Sequence, residues 1–191
     1  MIETIISIDI ETDGHTPGLH SMRSLGAVAY DGEGQEIDTW YRVMLPLPGA
    51  VTDPATMQWW SEQDAAMRQE VFYNPEAMDP GIATAQFAEW LATFVKPKML
   101  AAPAGFDFTF VRYYLGRFVG YDRIWHNCID LRSVAMPAVN GMKYGGKIRY
   151  GADIKVAVGA QDEVHDHHAL HDAREQGRLF WSIVKHWKEK Q

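Results

Sequence analysis

The sequence predicts an α/β domain with a mixed central sheet flanked by helices, and three observations carry that prediction. Up to Leu45 the chain holds three strand-like runs joined by tight turns. Beyond it, helical patterns alternate with short apolar strands. No internal repeat, low-complexity tract or linker divides the 191 residues. At about 150 residues per domain this length sets a prior near one, so residues 1–191 are read as a single domain. Hydrophobic residues make up 47% and charged residues 23%, a balance that excludes a disordered chain.

Thr4 to Ile10 reads as a buried strand, dominated by β-branched residues without a breaker. Ser24 to Tyr30 is the second strand, and Asp31-Gly32-Glu33-Gly34 the turn that follows. Ile37 to Leu45, rich in Thr, Trp, Tyr and Val, is the third. Asp53-Pro54 has the form of an N-cap followed by proline at the first helical position, opening a helix through Trp59 and Trp60. Ser61 is read as the cap of another helix, ending before Asn74-Pro75. Thr84 to Val95 is the clearest amphipathic helix, with Phe87, Trp90, Leu91, Phe94 and Val95 on one stripe. Lys98 to Ala102 is a short strand, Asp107 to Phe118 a helix, and Trp125 to Leu131 contains another short strand. Asn140 to Gly151, with four glycines, reads as a mobile loop. The last helix runs from about His168 to Lys188, with Leu170, Ala173, Phe180, Ile183, Val184 and Trp187 facing the core.

No apolar run approaches the roughly 18 residues of a membrane span, and the first residues do not form a signal peptide. The lone cysteine, Cys128, excludes an internal disulfide and fits a reducing cytosol, so a cytoplasmic location without membrane attachment is expected. The net charge of −7 argues at face value against a nucleic-acid partner. Its distribution argues otherwise. Residues 1–80 hold 14 acids and 3 bases, whereas residues 81–191 hold 11 acids and 15 bases. Eight of those bases lie between Arg112 and Lys155, enough local excess to track a phosphate backbone.

Asp9 and Glu11 lie at i and i+2 of the first strand, so both carboxylates project from one face and Ile8 and Ile10 from the other. Two adjacent acids repel each other and lose solvation in a half-buried strand. A hard divalent cation such as Mg²⁺ or Mn²⁺ offsets that cost; the simpler alternative is a pair of solvated acids on an edge strand. Two further acids read blandly when taken singly. Asp107, after Phe106, has the position of a helix N-cap. Asp172 reads as a mid-helix acid at the boundary of the buried stripe.

Together, Asp9-x-Glu11, then Phe106-Asp107, then His167 with Asp172 five residues on, resemble the DEDDh 3′–5′ exonucleases of the ribonuclease H-like superfamily. Ser24-Leu25-Gly26-Ala27-Val28, Ile129-Asp130-Leu131 and the frame from His167 to Ala173 extend the resemblance over nearly the whole chain. Trp59-Trp60 with Gln63 is similar to a subgroup that contains a phage exodeoxyribonuclease and an actinobacterial exoribonuclease. In one respect the chain departs: Ala101 to Gly105 carries no amide where many relatives place an Asn. The resemblance implies a ribonuclease H-like fold and metal-dependent removal of 5′-mononucleotides from the 3′ end of single-stranded RNA or DNA. It implies two divalent ions held by Asp9, Glu11, Asp107 and Asp172, with His167 as general base. Thr12, Trp59, Trp60, Gln63, Phe106 and Lys147 are the expected substrate contacts, one tryptophan packing while the other meets a base. Dimers are common in the family, so a homodimer is a candidate assembly, although no feature of this sequence marks an interface.

Two other motifs compete. His165, His167, His168 and His171 include an i, i+4 pair suited to zinc, and His165-Asp166 and His171-Asp172 resemble the doublets of the all-α HD phosphohydrolases, a rival reading of the function. Gly141 to Lys147 matches seven positions of a P-loop, but Ile148 stands where the Mg²⁺-binding Ser or Thr belongs. Lys143, Lys147 and Arg149 are therefore read either as phosphate contacts on a flap or as a solvated basic loop. The third alternative is a catalytically silent nucleic-acid-binding module.

Overall fold

The structure, a computed structural model, describes residues 4–120, 127–136, 152–159 and 166–189. Strand β1 (Ile5–Thr12) is the centre of a five-stranded sheet in the order β3-β2-β1-β4-β5. Strands β2 (Met22–Tyr30) and β3 (Glu36–Val43) extend it antiparallel on one side. Strands β4 (Lys98–Ala101) and β5 (Cys128–Asp130) extend it parallel on the other. The sheet is thus mixed, as the sequence predicts. Because β1 is its middle strand, the alternative of two acids on a solvated edge falls.

Period-two alternation along β1 divides the core. Ile6, Ile8 and Ile10 pack with Phe87 and Leu91 of α3 (Pro80–Leu91) and with Phe110 and Tyr114 of α4 (Ala104–Phe118). Ile5 packs on the opposite face with Ala173, Phe180 and Ile183 of α7 (Ala169–Lys188). Helices α1 (Pro54–Ser61) and α2 (Ala65–Tyr73) sit at the carboxyl end of β1, where the Trp60 indole donates a 3.0 Å hydrogen bond to the Thr12 carbonyl. The described residues also include the short helices α5 (Leu131–Ala135) and α6 (Ala152–Val158). Residues 121–126 and 137–151, including Trp125 and the predicted glycine loop, lie outside the described residues.

Several boundaries differ from the sequence reading. Helix α3 starts at Pro80 and ends at Leu91, because Asp79 caps it by accepting from the Gly81 and Ile82 amides and Pro80 pre-sets the first turn. Phe94 and Val95 therefore fall beyond the helix, and Val95 is exposed. Ser61 ends α1 instead of capping α2; Asp64 is the cap, accepting from Ala66 and Met67. The short strand expected within Trp125 to Leu131 is β5, and Leu131 opens α5.

One close approach sets the position of α7. Gly26 pairs with Asp9 across β1 and β2. A Cβ on Gly26 would lie 2.3 Å from the backbone of Ala169 and Leu170. Only a residue without a side chain lets the first turn of α7 rest on the sheet here.

Candidate active site

Both helix-borne acids sit in a first turn, and neither does what the sequence suggested locally. Asp107 does not cap α4, whose N-cap position is Pro103 without a side-chain bond. It is the fourth helical residue, buried, and its Oδ1 accepts the Ile10 amide at 3.3 Å. Asp172 is the fourth residue of α7, not a mid-helix acid, and it lies inside the buried stripe at 1% exposure. Two helix N-termini thus bring carboxylates to the carboxyl end of β1, where their dipoles favour negative charge. Asp9 is half-buried and Glu11 buried on the strand itself.

The electrostatics show how closely these acids meet. Burial, then the charges of Asp107, Glu11 and Asp172, hold the Asp9 carboxyl well above its ordinary value, against the lowering effect of a hydrogen bond from Gln176. Burial, then Asp172, Asp107 and Asp166, does the same for Glu11. Burial pushes Asp107 up to about 7, although the Ile10 amide and the Arg132 charge pull it down. Each shift is a destabilising cost that a bound divalent cation would relieve. Glu11, His167 and Asp172 each offer one ligand atom, and these atoms lie within 4.8 Å of one another. The donor set, carboxylate oxygens with one imidazole, fits a divalent metal ion.

His167 precedes α7 in the left-handed region, at φ 59°. That turn separates it from the helix, so His167 and His171 do not form the i, i+4 zinc pair. His167 instead meets the edge of Trp59 at 4.9 Å between ring centroids, while His171 Nδ1 lies 2.8 Å from Asp166 Oδ2. Burial raises the Asp166 carboxyl, but the bonds from His171 and the His168 amide outweigh it and leave it below its usual value. His168 stacks between Tyr41 and His171. The five-stranded sheet removes the all-α scaffold that HD chemistry requires. His165 lies outside the described residues.

Beside the acids runs an open groove of about 450 Å³. Glu11, Thr12, Trp59, Trp60 and Phe106 border it, and so do His15 and Thr56, which sequence reasoning missed. Trp59 is 41% exposed and Trp60 1%, so one indole faces solvent and the other is core, held between Phe72 and the Thr12 carbonyl. Gln63 lies past the end of α1 and its amide donates back to the Trp59 carbonyl, so it is not brought to the groove. Lys147 lies outside the described residues, as do Lys143 and Arg149. Lys155, one of the eight expected bases, is buried in an ion pair with Glu175 of α7. Gln176 was also missed; its one signal was its place one helical turn after Asp172.

Residues 4–184 match the 3′–5′ exoribonuclease Rv2179c-like domain. The chain belongs to this family. It is 30% identical over 189 residues to the 3′-5′ DNA exonuclease Cap18 of Escherichia coli, covering 96% of this chain and 92% of that protein. Among solved structures, E. coli exonuclease I with a dT13 oligonucleotide is similar at a TM-score of 0.72 and 18% identity, over 98% of this chain. Its zinc-bound complex with single-stranded DNA is similar at 0.69 and 19% identity, over 100% of this chain. Only 42% and 41% of those chains are covered, so this protein spans about two-fifths of their length. Cell-death related nuclease 4 is similar at 0.70 and 12% identity, over 96% of this chain and 64% of its own. The fold is therefore ribonuclease H-like, and this family member is a 3′–5′ exonuclease. Among the described residues no helix is long and apolar enough to cross a membrane.

Proposed function

We propose that this exonuclease removes 5′-mononucleotides from the 3′ end of single-stranded RNA or DNA, using two divalent ions, Mg²⁺ or Mn²⁺, and His167 as general base. The observation that carries the proposal is the convergence of Asp9, Glu11, Asp107, Asp172 and His167 at one end of the sheet, beside a groove with an exposed indole. Asp9, on the middle strand, would hold the ions together with Glu11, Asp107 and Asp172. When bound, the ions would supply an activated water and charge stabilisation for an in-line displacement at phosphorus.

The chain's own groups do the rest. His167 sits on a turn instead of a helix, so its ring can approach the attacking water and accept a proton at a ring nitrogen. Trp59 and Phe106 offer faces to the terminal base, and Thr12 lines the groove beside Glu11. The family match names an exoribonuclease and the 30% identical relative a DNA exonuclease, so both polymers belong in the assay. We place the whole chain in one nuclease domain acting in the cytoplasm.

The test uses single-stranded RNA and DNA oligonucleotides labelled at either end, with Mg²⁺ or Mn²⁺. Stepwise shortening from the 3′ end is expected, with loss of activity in His167→Ala and Asp172→Ala. Internal cleavage, or wild-type rates in either variant, refutes the assignment.

A further inference from the structure

Gln176 lies on the site-facing side of α7, where its Nε2 donates a hydrogen bond to Asp9 Oδ1 at 2.6 Å, across 167 residues of sequence. It stands four residues after Asp172, so both side chains leave the same face of α7 and reach the same strand. It is 9% exposed. The amide turns its NH₂ to Asp9, the orientation that suits the ionised carboxylate a bound cation requires, since that carboxylate only accepts. The other end of the amide is then stranded, since Gln176 Oε1 is buried without a hydrogen-bond partner. A stranded buried acceptor costs stability. An apolar side chain of the same length would avoid that cost and pack in the same space.

We infer that Gln176 is a positioning residue for the metal site: it fixes the rotamer of Asp9 by occupying Oδ1 and leaves the remaining oxygen to the cation. The inference rests on the metal-dependent reading above. A neutral amide suits the task better than Lys or Arg. A fixed cation at 176 would neutralise Asp9 itself and compete with the divalent ions. Gln176 orients the carboxylate without displacing them. Groups that orient a metal ligand in this way commonly control affinity 10- to 100-fold.

The test is Mn²⁺ binding to the apoprotein by isothermal titration calorimetry, with no nucleic acid present, together with apo melting temperature. The variants are Gln176→Met, near-isosteric without a donor, and Asp9→Asn, which removes the charge of the ligand. Gln176→Met should bind Mn²⁺ roughly 10- to 100-fold more weakly, with an apo melting temperature equal to or above wild type, a combination that a purely structural role would not produce. Gln176→Ala replaces it if the Met variant fails to fold. Wild-type Mn²⁺ affinity in the Gln176 variant overturns this inference alone, provided Asp9→Asn has lost affinity. Wild-type affinity in Asp9→Asn overturns the metal-site reading and this inference with it.

Discussion

Gly26→Ala adds one methyl group on β2, opposite Asp9, and it should cripple the enzyme through the helix it displaces. The new Cβ would sit 2.3 Å from the carbonyl carbon of Ala169 and the amide nitrogen of Leu170. Ordinary contact begins near about 3.4 Å, so the first turn of α7 must withdraw by roughly 1.1 Å. That turn carries Asp172 and follows directly on His167. A misplacement of about 1 Å in a catalytic constellation costs on the order of 100-fold in rate, or about 2.7 kcal/mol of transition-state stabilisation. Overpacking should remove about 1–3 kcal/mol of stability, which for a chain of this size lowers the melting temperature by roughly 2–12 °C. The assay is initial-rate degradation of a 3′-labelled single strand at saturating Mn²⁺, below the melting transition of the variant. Gly105→Ala, whose Cβ would meet nothing within 4 Å, is the control and should keep wild-type rates. A folded Gly26→Ala protein with wild-type rate would refute the argument that this contact sets the position of α7.

The two tryptophans should separate cleanly. Trp59→Ala should weaken substrate binding by about 1–3 kcal/mol per stacked base, seen as a raised KM with an unchanged melting temperature. Trp60→Ala removes a buried indole and its bond to the Thr12 carbonyl and should cost about 3–5 kcal/mol of stability in a denaturant titration. The apoprotein should lose stability as pH rises. Asp9, Glu11 and Asp107 have carboxyls raised in the folded state, so between the ordinary carboxylate range and about 7 the native state holds more protons than the unfolded chain. Its stability is greatest below that window, falls through it, and should be recovered at pH 7–8 by Mn²⁺; a metal-free melting temperature that rises across the window would contradict the site. Arg23→Met should loosen the groove wall at a distance. Arg23 bonds the carbonyls of Met44 and Phe72 and lies over the Phe72 ring, which packs on Trp60. Measured by melting temperature, the loss should exceed that of an exposed Arg42→Met control.

Periodicity and local chemistry made much of this protein legible before any coordinates. The i, i+2 spacing of Asp9 and Glu11 determines that they share a strand face, whatever the rest of the chain does. Asp53-Pro54 starts α1, and the alternation of helix and strand patterns sets the fold class. These signals are local, and the backbone geometry that reads them spans a few residues. The departures came where one local signal outranked another, as when Asp79-Pro80 moved the start of α3 ahead of its apolar stripe. The site itself is a matter of long-range contact. Asp107 meets the Ile10 amide across 97 residues and Gln176 meets Asp9 across 167. Local chemistry alone does not rank Asp172 above Asp166, or His167 above His171; in the sequence only the spacing of the family resemblance picked them out. Tertiary packing supplies the physical reason: the missing Cβ of Gly26 seats α7 on the sheet, which buries Asp172 beside Glu11 and leaves Asp166 to pair with His171. The sequence by itself determined which residue types were available for metal chemistry, and only the approach of α7 to β1 and β2 decided which of them share one site.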